Sequence, residues 1–197
     1  MAWDTDATRR RLKEAATAEF AERGPDGTTM RRIAERAGIN KERLYNYFGD
    51  KQALFATVLT DELDKLAAAV PGNAMSFEDI GEFAGHTFDY HAAHPELARL
   101  LLWEGLGSGP TADELNRSKH YEQKVQAVAA AQHDGLIDDD MDPAHLVFLL
   151  IALAAWWVSV PQLAHMLTGA DPQDKAERAR RRATVVKAAR RLACRRQ

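Results

Sequence analysis

TTMRRIAERAGINKERLYNYF, residues 28–48, reads as two short helical segments joined by one tight turn. Thr29 is placed to cap a first helix over Met30 to Ala37, and Gly38 suits the left-handed residue that stops it. Asn40 repeats the capping role for a second helix, Lys41 to Tyr47. At helical spacing Ile33, Ala34, Ala37, Ile39, Leu44 and Phe48 fall on one inward side. The second helix then turns Lys41, Glu42, Arg43, Tyr45, Asn46 and Tyr47 outward. Cations and hydroxyls suit phosphates, while amides and guanidinium groups suit base edges in a major groove. Motif 28–47 therefore predicts a helix-turn-helix. Paired short helices also occur in helical proteins that bind no nucleic acid, and spacing alone leaves both readings open.

Helical patterning continues on both sides. Upstream, Thr8 to Arg23 brings Leu12, Ala16 and Phe20 onto one face, enough to close a three-helix core, and Gly24 stops it. Downstream, Asp50 can cap a longer helix from Lys51 to about Val70, before the break Pro71-Gly72-Asn73. Further helices are expected over Phe77 to His94, Pro95 to Leu106, Ala112 to His133 and from Pro143 onward. Pro161 should interrupt the last of these, and Asp171-Pro172 should open a basic final helix. The expected fold is all-α. An N-terminal three-helix DNA-binding domain (1–50) precedes a helical ligand-binding and dimerisation domain (51–197), with helix 51–70 connecting them.

The stretch from Thr28 to Phe55, TTMRRIAERAGINKERLYNYFGDKQALF, resembles the signature of TetR-family regulators, and Ala15-Ala16 with Phe20-Ala21-Glu22-Arg23-Gly24 matches their first helix. The likeness is nearly continuous from Leu12 to Phe55, and the Leu-Tyr-x-Tyr-Phe-x-x-Lys element is specific. It implies that Thr29 touches a phosphate and that Tyr45 and Tyr47 press on backbone and thymine methyls. It also implies that Lys51 grips a phosphate at a helix N-terminus. Lys41 and Arg43 sit where the family reads bases or adjacent phosphates, and Arg31 and Asn46 complete the DNA-facing set. Glu42 departs from the small residue usual at its place. It must either meet a cytosine amino group or turn toward Arg43 or Arg31. Arg9, Arg10 and Arg11 face either DNA or solvent.

The net charge of -3 hides a strong asymmetry. Residues 1–51 hold 11 Lys/Arg against 9 Asp/Glu (+2), residues 52–174 hold 5 against 19 (-14), and residues 175–197 hold 10 against 1 (+9). The basic end reads more readily as a solvated face balanced by the acidic middle than as a second nucleic-acid patch. One cysteine, Cys194, and no signal-like start suggest a cytoplasmic protein. The longest apolar run, Leu146 to Val158, is too short for a bilayer, so no membrane association is expected.

That run is apolar on nearly every side, so a partner should cover what one small domain cannot. The final helix carries a small-residue stripe, Ala176, Ala179, Ala183, Val186 and Ala193, that permits close approach. A homodimer joined by residues 143–168 and 171–195 is expected. The family likeness implies a small-molecule pocket behind it. The candidates are Phe83, His86, Thr87 and Tyr90, then Trp103 and Leu106, then Tyr121 and Trp156. The acidic middle favours a neutral or cationic effector. No catalytic constellation, cofactor motif or phosphate loop is legible, and His91 with His94, or Asp138 to Asp142, make poor metal sets. The expected function is a sequence-specific regulator, a repressor released from a palindromic operator by its effector. The alternative is a DNA-binding or helical interaction protein without an inducer.

Overall fold

A computed structural model describes residues 5–70, 77–107, 109, 111–171 and 174–194. Among them there are ten helices and no strand: α1 (Thr5–Gly27), α2 (Met30–Ala37), α3 (Lys41–Phe48), α4 (Lys51–Ala69), α5 (Phe77–Ala93), α6 (Pro95–Leu106), α7 (Glu114–His133), α8 (Pro143–Ser159), α9 (Pro161–Thr168) and α10 (Lys175–Leu192). The expected break at Pro71-Gly72-Asn73 lies outside the described residues.

The helix ends follow local chemistry. The Thr29 hydroxyl accepts from Arg32 N–H, Gly38 ends α2 in the left-handed region, and Asn40 accepts from Glu42 N–H. Asp50 Oδ1 accepts from Ala53 N–H at 2.8 Å and starts α4. Asp142 accepts from Ala144 and His145 N–H ahead of Pro143. α8 and α9 bend by 84° at the break before Pro161, and among the described residues no single helix is long and apolar enough to span a bilayer. The last helix opens later than Asp171-Pro172 suggested: Asp174 caps it by accepting from Ala176 N–H, and Pro172 lies outside the described residues.

The helices form two compact units, Met1–Lys65 with Glu96–Glu114, and Leu66–Pro95 with Leu115–Gln197. In the first, Leu12, Ala16 and Phe20 of α1 are buried with Ile33, Leu44, Leu54 and Leu59, closing the small core that the periodicity called for. Phe20 and Phe55 meet edge to face at 5.2 Å. α1 is broken at Gly24 (φ 71°, ψ 170°), a conformation open almost only to glycine. There the Trp103 indole of α6 packs so closely that a β-carbon on residue 24 would lie 2.7 Å from the ring. Arg99 fastens the same helix by donating to the Ala21 carbonyl at 2.7 Å.

In the second unit α5, α8 and α10 enclose Ile80, Phe83, Phe88, Leu146, Leu150, Val185 and Ala189, with Val128 and Ala131 of α7. The buried face of α10 is Glu177, Arg181, Val185 and Ala189; Ala176, Ala179 and Ala183 of the small-residue stripe are exposed. Several α10 arginines pair with acids. Arg182 reaches Asp89 at 2.7 Å and Glu82 at 3.3 Å, and Arg181 reaches Glu177 at 2.8 Å.

Candidate nucleic-acid interface

α2 and α3 are held against α1 by a polar clasp that the hydrophobic pattern did not disclose. Glu19, on the inner side of α1, is 4% exposed. Its carboxylate accepts from the Thr28 hydroxyl at 2.9 Å, Arg32 Nε at 3.2 Å and Arg36 Nη1 at 3.1 Å. Burial alone would raise its pKa. The hydrogen bonds from Thr28, Arg32 and Arg36, with the charge of Arg32, outweigh that and hold it below the ordinary 4.5. Arg11 donates to the Ala37 carbonyl at 2.7 Å, capping α2, so its guanidinium serves the fold. Arg10 lies 3.9 Å from Glu14, and Arg9 lies 5.5 Å from the Phe48 ring centre.

α3 turns only Leu44 and Phe48 fully inward. Each helical residue advances by about 100°. Glu42 and Asn46 therefore stand at about 160° and 200° from Leu44, the directions most nearly opposite the core. Both are exposed, as are Lys41 and Tyr45. Lys41 Nζ lies 5.3 Å from the Tyr45 ring centre and Arg43 6.0 Å from that of Tyr47. Cations thus flank both tyrosines, an arrangement that suits a phosphate backbone. Arg31, exposed on α2, lies 3.7 Å from Glu35. Lys51, in the first turn of α4, places its ammonium 3.5 Å from the Thr28 carbonyl, next in the chain to exposed Thr29. The two expected phosphate contacts are thereby brought side by side.

The expected effector residues are less well assembled. In the second unit Phe83 and Thr87 are buried on α5, and the Thr87 hydroxyl donates to the Phe83 carbonyl at 2.7 Å. Tyr90 is half-buried, its ring 4.4 Å from that of His94. His86 is exposed although it lies one turn from Tyr90, because the buried stripe of α5 passes through 84, 87, 88 and 91. Tyr121 and Trp156 are exposed on α7 and α8. Trp103 and Leu106 belong to the first unit: Trp103 packs on Gly24 and Leu106 is exposed. Two further residues of this unit, buried His91 and half-buried Lys124, were not among those candidates. His91 is buried, its Nδ1 has no hydrogen-bond partner among the described residues, and burial lowers its pKa to about 4. Lys124 Nζ lies 5.9 Å from the Phe83 ring centre, and burial lowers its pKa too. The i, i+4, i+8 spacing of Phe83, Thr87 and His91 was the available signal for the first.

Residues 12–58 match the family model described as bacterial regulatory proteins, tetR family, and residues 79–191 match tetracyclin repressor-like, C-terminal domain. The chain is 45% identical over 168 residues to the HTH-type transcriptional repressor SCO4008 of Streptomyces coelicolor, covering 84% of this chain and 86% of that one. It is 27% identical over 175 residues to the HTH-type transcriptional regulator RutR of Escherichia coli, covering 86% and 82%. The crystal structure of the SCO4942 protein of Streptomyces coelicolor superposes with a TM-score of 0.80 at 33% identity, covering 94% of this chain and 98% of that one.

Proposed function

The chain belongs to the TetR family of bacterial transcriptional regulators, and from that premise we propose that it is a cytoplasmic homodimeric repressor, released from a near-palindromic operator by a small molecule. The observation that carries the DNA-facing part is α3 itself. Glu42 and Asn46 point outward, flanked by Lys41, Arg43 and two tyrosines, over a face closed by Leu44 and Phe48. Such a helix enters a major groove, and Thr29 and Lys51 hold adjacent phosphates. The Arg31 and Asn46 side chains complete the contact surface. The repressor role is supported by the name of the relative at 45% identity.

The dimer is supported by α8. Phe148 is 71% exposed and Trp156 55% exposed on a helix whose other side is core. A second copy covers that face, and the exposed alanines of α10 permit close approach beside it. Two-fold symmetry then sets the recognition helices about 34 Å apart, on successive major grooves. For the effector the supported lining shrinks to Phe83, Thr87 and Tyr90, joined by His91 and Lys124. An effector acts only through different affinities for the DNA-competent and released states, and α4, with residues in both units, is the element proposed to differ between them.

The test is selection of bound duplexes from a random pool, followed by a compound screen for release of the selected duplex. A palindromic motif and a releasing compound support the proposal. No enriched duplex refutes the operator, and a motif with no releasing compound leaves a regulator without an inducer.

A further inference from the structure

We propose that Glu42 is a specificity-determining residue that reads one cytosine in each operator half-site, its carboxylate accepting a hydrogen bond from the exocyclic N4 amino group. This rests on the reading of α3 as the recognition helix. Glu42 occupies the first turn of α3, points almost directly away from Leu44 and is exposed. Its backbone N–H is satisfied by Asn40 Oδ1 at 2.8 Å, which fixes the turn that presents it.

Its carboxylate is not spent on a neighbour. Arg31 lies 3.7 Å from Glu35, Lys41 lies over the Tyr45 ring and Arg43 beside the Tyr47 ring. Among the described residues no cation stands within ion-pair distance of Glu42. An unpaired carboxylate at the front of a groove-binding helix is repelled by phosphates on both sides. It therefore weakens binding to every duplex except one that offers it a donor. In the major groove the amino donors are cytosine N4 and adenine N6. Adenine sets its N7 acceptor beside that amino group, guanine offers only N7 and O6 acceptors, and thymine an O4 acceptor and a methyl. Cytosine is the base whose edge presents a donor with no acceptor of its own alongside. Exclusion of the other bases then contributes as much to selectivity as attraction to this one.

A favourable carboxylate in the first turn would also steady the helix, so the test needs a readout that helix stability does not move. Duplexes are selected from a random pool with the wild-type protein and with Glu42→Ala and Glu42→Gln. The wild-type pool should carry cytosine at one symmetric position in each half-site. The alanine protein should keep the rest of the motif and accept any base there. The glutamine protein should shift toward adenine, whose N6 and N7 an amide can meet together. On the selected duplex, replacing that cytosine by 2-pyrimidinone, which lacks the amino group, should weaken wild-type binding about tenfold and the alanine variant less than about twofold. The alanine variant should bind unrelated duplexes more tightly than wild type. An alanine pool that retains the same cytosine preference overturns the assignment and leaves the recognition helix standing. A wild-type protein that enriches no motif overturns both.

Discussion

Thr28 donates its hydroxyl proton to the carboxylate of Glu19 at 2.9 Å, linking the residue before the α2 cap to the middle of α1. Arg32 and Arg36 close on the same carboxylate, so three donors from the α2 segment converge on one buried acceptor. Glu19→Ala leaves the Thr28 hydroxyl buried and unpaired, while the two arginines retain access to water. The expected loss is about 1–3 kcal/mol, read by urea unfolding. The folded carboxyl titrates below its ordinary 4.5, so its stabilisation is complete above that pH and disappears as pH falls through the lowered value. Glu19→Gln should flatten this acid limb. An unchanged limb would show that the clasp does not link α2 to α1 energetically.

The half-buried residues proposed to meet DNA, Tyr47 and Lys51, and the buried Leu44 should separate under mutation. Lys51→Ala should weaken binding to all duplexes alike and lower the salt slope by roughly one phosphate contact. Tyr47→Ala should weaken operator binding without unfolding the protein. Leu44→Ala should cost about 2–5 kcal/mol of stability, because a fully buried side chain is removed from a small core. Arg11→Ala should cost about 1 kcal/mol through the lost cap and leave the operator preference unchanged. Fluorescence anisotropy at several salt concentrations, beside thermal melts, measures all four. Operator binding by Tyr47→Ala and Lys51→Ala as tight as wild type would displace the recognition helix from this site.

The helix-turn-helix was legible because its information is local. Thr29, Asn40, Gly38 and Asp50 act within a few residues of themselves, and Leu12, Ala16 and Phe20 announce a face by period. The pairings of Glu19 with Arg32 and Arg36, and of Arg11 with the Ala37 carbonyl, cross 13 to 26 positions of sequence and leave no periodic trace. The same limit misplaced Trp103. The family likeness put Trp103 among the pocket candidates, and sequence carried no sign that Gly24, near the end of α1, receives its ring.

Gly24 is therefore the position where substitution should be least tolerated in the α1–α6 contact. Alanine there meets both the φ of 71° and the Trp103 ring. The expected destabilisation is about 2–4 kcal/mol, combining backbone strain with the displaced indole. Gly24→Ala in a Trp103→Ala background should cost less, since only the backbone term remains. Equal cost in both backgrounds, measured as a double-mutant cycle by chemical unfolding, would place the ring away from Gly24.

His91 gives the second unit an acid sensitivity of its own. Burial lowers its folded pKa to about 4, while the unfolded chain titrates near 6.5. Between those values the unfolded state binds the extra proton, so stability falls as pH drops from 6.5 toward 4, by up to about 1.4 kcal/mol per pH unit, and levels below. His91→Phe should abolish that slope across the window. Persistence of the slope in the variant would assign it to other groups.

The exposed rings of α8 provide the sharpest test of assembly. Phe148 and Trp156 lie two helical turns apart on one stripe, while Leu146, Val147, Leu150 and Ala154 of the same helix are core. Both rings keep most of their surface exposed in the protomer, so replacing either should leave helicity and the unfolding cooperativity of the protomer largely unchanged. Fully burying such a side chain contributes roughly 1.5–3 kcal/mol. In a two-fold interface each substitution acts twice, so Phe148→Glu or Trp156→Glu removes roughly 3–6 kcal/mol and places two carboxylates in an apolar seam. By light scattering, wild type should be a dimer at micromolar concentration and either variant a monomer. Operator affinity should fall with the dimer, because a monomer engages one half-site and the salt slope should drop to roughly half. A wild-type monomer at that concentration would refute the interface outright. Variants that remain dimeric would move it off this face of α8.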